Sequence, residues 1–307
     1  MKRSLRLGTV LCLAVFSLLS IPAFVNAQPH KSKKITSNKI VEEAIVSMPP
    51  IDTSLFPYVQ IDSWEGRRFI FLAAPKASEN DIYDDFSGRL IRRQYQGRVA
   101  KVTGASDFSG RIHLELEMED TKERLRARSL PGKESIKGIA LVDDLSNARA
   151  QWAGKTLWCR EPRLSTYDEL NDQVGVLAIK RYSPLKVLDI VAGWDEEKPA
   201  RFLLATSDGK RGFLDLNLSG TNVFKEVRQL NRMEQYFLAE DPRKIYKWPA
   251  HVWNLIESSQ IITGMTAAQV KMSWGEPEKI TPTATGESWN YMAGTLIFKK
   301  GVLTGKQ

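Results

Sequence analysis

The chain has 307 residues, with 44 Lys and Arg against 36 Asp and Glu and a formal net charge of +8. That length can bury sizeable hydrophobic cores, and with only Cys12 and Cys159 it is excluded from the disulfide-stapled scaffolds and cysteine-rich zinc modules. A positive balance this mild suits anionic wall polymer or lipid headgroups, as it suits an ordinary solvated surface, and is too small to imply nucleic acid.

Lys2, Arg3 and Arg6 precede the 16-residue apolar run "TVLCLAVFSLLSIPAF", which exits through "VNA" with small residues Val25 and Ala27. A bilayer span needs about 20 residues. The short run, Pro22 and the small-residue exit make residues 1–27 a secretory signal rather than a membrane anchor. The expected location is the periplasm, without a transmembrane anchor after cleavage. Removing three basic and no acidic residues takes the charge from +8 to +5. Cys12 lies mid-run, away from any lipid-attachment position. Cys159 in "TLWCREP" reads as a packed strand residue, with a reactive thiol as the alternative. His30, His113 and His251 are too scattered for a zinc site.

Residues 28–55 read as a basic polar tail, with "HKSKK" a solvated tail rather than a binding arm, and then a short helix. Ile40, Val41, Ala44, Ile45 and Met48 have helical spacing there, and Pro49-Pro50 stop it. Residues 56–132 break into short strand-like runs, clearest in "RIHLELEME", where Ile112, Leu114, Leu116 and Met118 alternate with His113, Glu115, Glu117 and Glu119. Residues 133–150 suggest a connecting helix, with Leu141, Leu145 and Ala148 on one face. Strand texture returns over 151–225, where Asp208-Gly209 in "SDGK" predicts a hairpin between "FLLAT" and "RGFLDL". "SWEGR" at 63–67 and "QWAGK" at 151–155 lie 88 apart, and Tyr95 and Tyr182 lie 87 apart. This weak repeat predicts two tandem small β barrels.

Residues 226–307 turn helical and then stranded. Pro242 and Pro249 punctuate "MEQYFLAEDPRKIYKWPAHVWNLIESSQ", with Pro249 in the first turn of a helix packed through Val252, Leu255 and Ile256. In "GMTAAQVKMSWGEP", Gly264 allows a tight entry, Thr266 and Gln269 form a reciprocal cap, and Val270 and Trp274 share a face. Gly275 and Pro277 end the helix. "SWNYM", "TLIFKK" and "VLTG" follow as three strands, so the expected unit is α+β, helix–helix–three strands.

This closing stretch resembles the SmpA/OmlA (BamE-like) domain, in its Gly-Met-Thr start, Gly-x-Pro stop, Trp-x-Tyr strand and apolar strand with a Gly turn. The resemblance covers about 45 residues. It implies a non-catalytic envelope module, accessory in some members to outer-membrane protein assembly. Those members are usually small lipoproteins, whereas this chain lacks a usable attachment Cys. The two preceding units are similar in strand rhythm to bacterial Src-homology-3-type barrels, which in envelope proteins bind wall polymer or peptides.

Motifs for catalysis are sparse. Asp84-Asp85, Asp143-Asp144 and Glu196-Glu197 are adjacent pairs, poorly placed for acid–base work because neighbours on a strand face opposite ways. "DIYDD" at 81–85 lacks the Gly and distal Glu of a calcium loop. No cofactor motif appears. Most of the eight Trp residues read as core. Trp194 in "AGWDEEKP" is the best candidate for an exposed one. Arg243, Lys244, Tyr246, Lys247 and Trp248 in "PRKIYKWP" form a basic-aromatic mix that faces a membrane or partner, or else packs between domains. The expected function is a non-catalytic envelope scaffold binding a protein or wall polymer, with peripheral contact to outer-membrane machinery. The alternative is an envelope hydrolase whose carboxylates the fold assembles.

Overall fold

A computed structural model describes residues 51–72, 82–84 along the backbone, 95–129, 132 and 134–307. The signal segment, the 28–50 tail with its helix, and part of "DIYDD" lie outside the described residues. The chain is mainly β, with three antiparallel sheets and a few short helices. Three hydrophobic cores sit within one compact unit.

The first sheet contains β1 (Arg68–Phe71), β2 (Ile82–Asp84), β3 (Val99–Phe108), β4 (Arg111–Met118), β5 (Arg124–Arg128) and β6 (Ile139–Leu141), in the order β2-β5-β4-β3-β1-β6. On β4 the alternation reads as expected: Ile112, Leu114, Leu116 and Met118 are buried in the core. Helix α1 (Val142–Trp152) follows β6 without a break and packs Leu145, Ala148 and Trp152 into the second core.

The second sheet contains β7 (Thr156–Cys159), β8 (Arg163–Asp168), β9 (Gln173–Ala178), β10 (Ser183–Asp195), β11 (Lys198–Ala205), β12 (Arg211–Leu216) and β13 (Phe237–Leu238), in the order β13-β7-β10-β11-β12-β8-β9. The β11–β12 hairpin turns at Asp208-Gly209, as the sequence predicts. Cys159 is fully buried, and burial pushes its thiol up to about 12, so it serves as a packed apolar group.

The two sheets share their wiring. Gly66 N–H donates to Val102 O at 2.9 Å and Val102 N–H returns to Arg67 O at 2.8 Å. Gly154 N–H donates to Val187 O at 2.8 Å and Val187 N–H returns to Lys155 O at 2.9 Å. In both sheets the register slips immediately after that Val, between Val102 and Gly104 and between Val187 and Asp189. Trp64 and Trp152, two residues before each Gly, are both buried, as are Tyr95 and Tyr182.

Both sheets extend past the boundaries expected from sequence. β6 lies in the segment read as connector, and β13 in the segment read as helical. Three and two residues are too few to show a period. After α2 (Met233–Tyr236) the chain leaves the helix because Phe237 and Leu238 pair with β7 and bury on opposite sides, one in the second core and one in the third.

Helices α3 (Pro242–Ile245), α4 (Ala250–Glu257) and α5 (Ala267–Trp274) precede the third sheet, β14 (Lys279–Thr283), β15 (Gly286–Tyr291), β16 (Gly294–Lys299) and β17 (Val302–Lys306), paired in chain order. The reciprocal cap is present: Gln269 N–H donates to Thr266 Oγ1 at 3.3 Å and Thr266 N–H donates to Gln269 Oε1 at 2.9 Å. Gly275 stops α5 at φ +87°, which a side chain would strain. Three details differ from expectation. Pro249 caps α4 from outside its first turn, and the buried face of α4 is Trp253 and Ile256, with Val252 and Leu255 half-buried. The sheet has a fourth strand, β14, fully exposed along its length and carrying Pro282, so no apolar alternation marks it.

Candidate functional site

Alternation along the second sheet puts Leu157, Cys159, Leu185, Val187, Phe202, Leu204 and Leu216 on one face, in the second core. The opposite face is divided. At its β13–β7 end the C-terminal module covers it: Trp158 and Leu238 join the third core. Tyr182, from the turn into β10, donates to Met272 O at 2.8 Å and meets the Trp253 ring edge-on at 6.2 Å.

At the β12–β8–β9 end that face carries an aromatic layer. Cross-strand register aligns Arg201 with Asp215, Leu203 with Phe213, Phe213 with Ser165, Ser165 with Val176, and Tyr167 with Val174. Trp194 lies edge-on to Tyr167 at 4.7 Å and to Phe213 at 5.6 Å. The Arg201 guanidinium sits 3.6 Å over Trp194 and 3.8 Å over Phe213, and donates twice to Asp215 at 2.7 Å. At 5% exposure this cation is a fixed support for the rings rather than a ligand contact. Trp194 and Tyr167 are half-buried, and Val174 and Val176 are 60% and 69% exposed, so the layer reaches solvent.

The layer's rim is acidic at two hairpin turns, while the exposed Arg163 and Arg211 share its face. Asp168 ends β8 and Glu169 and Asp172 follow in the turn to β9, while Asp195 ends β10 and Glu196 and Glu197 follow in the turn to β11. The Asn171 amide and backbone N–H groups hold Asp168 below the usual carboxylate range. Asp172 accepts from Tyr167 Oη at 2.8 Å, which raises the phenol. Lys198 pairs with Asp195 at 3.3 Å.

The six sequence candidates separate into two places. Trp194 belongs to the layer, on the end of a strand rather than in a free surface turn. The other five lie between the second sheet and the C-terminal module. Arg243 is held by Asp241 at 3.1 Å and Glu257 at 2.5 Å, and also donates to Tyr182 O. Tyr246 stacks on Trp248 at 4.5 Å, and Trp248 leans on Trp253 at 5.2 Å. Lys244 and Lys247 are exposed. Of the two readings of this stretch, interdomain packing accounts for its arginine and its aromatics. Tyr167 and Phe213 were missed. For Tyr167 the available signal was the recurrence of an aromatic followed by two acids, Tyr167-Asp168-Glu169 and Trp194-Asp195-Glu196, and Phe213 carries no such signal.

Among the described residues, the carboxylates of the Asp143-Asp144 pair part from each other. Asp144 is buried and pushed up to about 6 by desolvation, yet its Oδ2 accepts from both N–H and Oγ of Ser219. Asp143 turns outward to Arg67 at 2.8 Å. Thus Asp144 ties α1 to the segment after β12, which also reaches the first sheet: Thr221 accepts from Val59 N–H, and Asn222 brackets Ile136 and Ile139. Among the described residues no group of three or more His, Cys, Asp or Glu is placed to hold a metal, and no helix is long and apolar enough to cross a membrane. No protein-family model, curated protein or solved structure matches the chain.

Proposed function

We propose that the chain is an exported, non-catalytic envelope scaffold that binds a partner protein through the open half of the second sheet's outer face. The observation that carries this reading is the Tyr167–Trp194–Phe213 layer. It is held in place by Arg201–Asp215 and edged by carboxylates at its two hairpin turns. Aromatic rings on a fixed base offer a large contact area at little conformational cost. Of the two partner classes the sequence suggests, the acidic rim favours a protein with basic side chains over an anionic wall polymer, despite the chain's overall positive charge.

Two further parts of the reading rest on resemblance. The shared wiring of the first two sheets supports treating them as two Src-homology-3-type units. The capped α5, its Gly stop and the antiparallel sheet behind it support a BamE-like module, whose place here is to pack on the second sheet. Peripheral contact with outer-membrane machinery and periplasmic residence belong to this proposal.

The test is affinity capture from solubilised envelope, with mass spectrometry of the bound proteins. Trp194→Ala and Tyr167→Ala are each expected to lower recovery of a specific partner about tenfold or more, the scale of a lost central aromatic. Unchanged recovery with both variants removes this face from consideration.

A further inference from the structure

Among the described residues strand β9 ends the second sheet, and its outer edge carries none of the usual protection. The corresponding outer strand of the third sheet, β14, carries Lys279 and Pro282. β9 reads Gln173–Ala178, "QVGVLA", with no charge and no proline. Ile179 N–H donates inward to Pro162 O at 2.9 Å. Antiparallel alternation then turns the main-chain N–H and C=O of Val174, Val176 and Ala178 away from β8, toward the open edge.

The side chains of that same set are exposed and charged at the two ends. Asp172 accepts from Tyr167, the cross-strand neighbour of Val174, which fixes its carboxylate on the face of Val174 and Val176. Lys180 lies two residues beyond Ala178 and is 73% exposed, with only a 3.5 Å approach to Glu257, which Arg243 holds more closely. The series is therefore acid, Val, Val, Ala, base at every second position. Read against itself in reverse, it is complementary.

We infer that a second copy of this chain pairs antiparallel along β9, about a two-fold axis at Val176. Val176 then faces Val176 of the other copy once, on the axis, while Val174 faces Ala178 and Asp172 faces Lys180, each of these two pairs occurring twice, as a two-fold interface requires. The outward main-chain groups are satisfied, and one sheet runs through both copies. The two aromatic layers lie on the same face of that joined sheet, which gives the dimer two partner sites. The pairing stands independently of the partner-binding reading.

The mass of the full protein is measured by sedimentation over a range of concentrations. A dimer is expected, dissociating on dilution. Val176→Lys places like charges directly opposite each other and is expected to raise the dissociation constant about tenfold or more. Asp172→Lys is expected to do the same. Adding Lys180→Asp to it restores charge complementarity and should return the constant to within about threefold of the parent. Circular dichroism confirms that each variant is folded. A parent protein that stays monomeric, a dimer indifferent to Val176→Lys, or a charge swap that fails to rescue overturns the inference. Capture of a partner by a monomer would leave the aromatic face standing and sink only the pairing.

Discussion

Trp253→Ala is expected to destabilise the folded chain by about 3–5 kcal/mol, the range for deleting a buried large aromatic. Trp253 is 5% exposed and joins three things at once. Its ring meets Tyr182 of the second sheet and Trp248 of the connector, and its Nε1 donates to Tyr246 O at 3.3 Å. Neighbouring Arg243 holds Glu257 of the same helix and the carbonyl of Tyr182. Loss of the indole therefore opens a cavity at the joint, not inside an isolated module. Denaturation followed by near-ultraviolet circular dichroism should show the second sheet and the C-terminal module losing stability together. A variant in which the C-terminal module melts early while the second sheet keeps its midpoint would show that the two are energetically separate.

Arg201→Leu is expected to cost about 3–5 kcal/mol, because it leaves Asp215 half-enclosed without its bidentate partner. Asp215 is 17% exposed, and both its oxygens accept from Arg201. The guanidinium is also the plate between Trp194 and Phe213, so its removal should loosen the rings as well as strand a charge. Adding Asp215→Leu removes the orphaned carboxylate and should recover much of the lost stability, since an apolar pair of similar volume often replaces a buried ion pair without penalty. Partner binding separates the two roles. If the double variant regains stability but still binds weakly, Arg201 matters for the order of the aromatic layer. Full recovery of both would reduce it to a filler of space.

Strands with one wet face were legible from sequence because burial imposes a period of two. β4 and the β11–β12 hairpin follow directly from their residues. The α5 cap was equally legible, since Thr266, Gln269 and Gly275 act within one or two turns. β6 and β13 were not legible, because two or three buried residues carry no period and their pairing partners lie far off in the chain. β14 was hidden for the opposite reason, having no buried face at all. Among candidate residues, Trp194 is marked by its charged neighbours and Tyr167 shares that aromatic–acid pattern, but Phe213 comes to them only through the register of β12 with β8. Arg243, Tyr246 and Trp248 show the converse limit. A basic-aromatic string has the same composition whether it faces a partner or closes a joint.

Partner contact is proposed on the open aromatic half of the second sheet, and site-specific photocrosslinking in cells tests this most directly. A photoreactive phenylalanine at position 167 is compared with one at position 108, where Phe108 is 71% exposed at the tip of the first sheet's β3–β4 hairpin. The expected result is a discrete adduct to an envelope protein from 167, lost when Trp194→Ala is added, and none from 108. Equal adducts from both positions, or adducts from 108 alone, would contradict it.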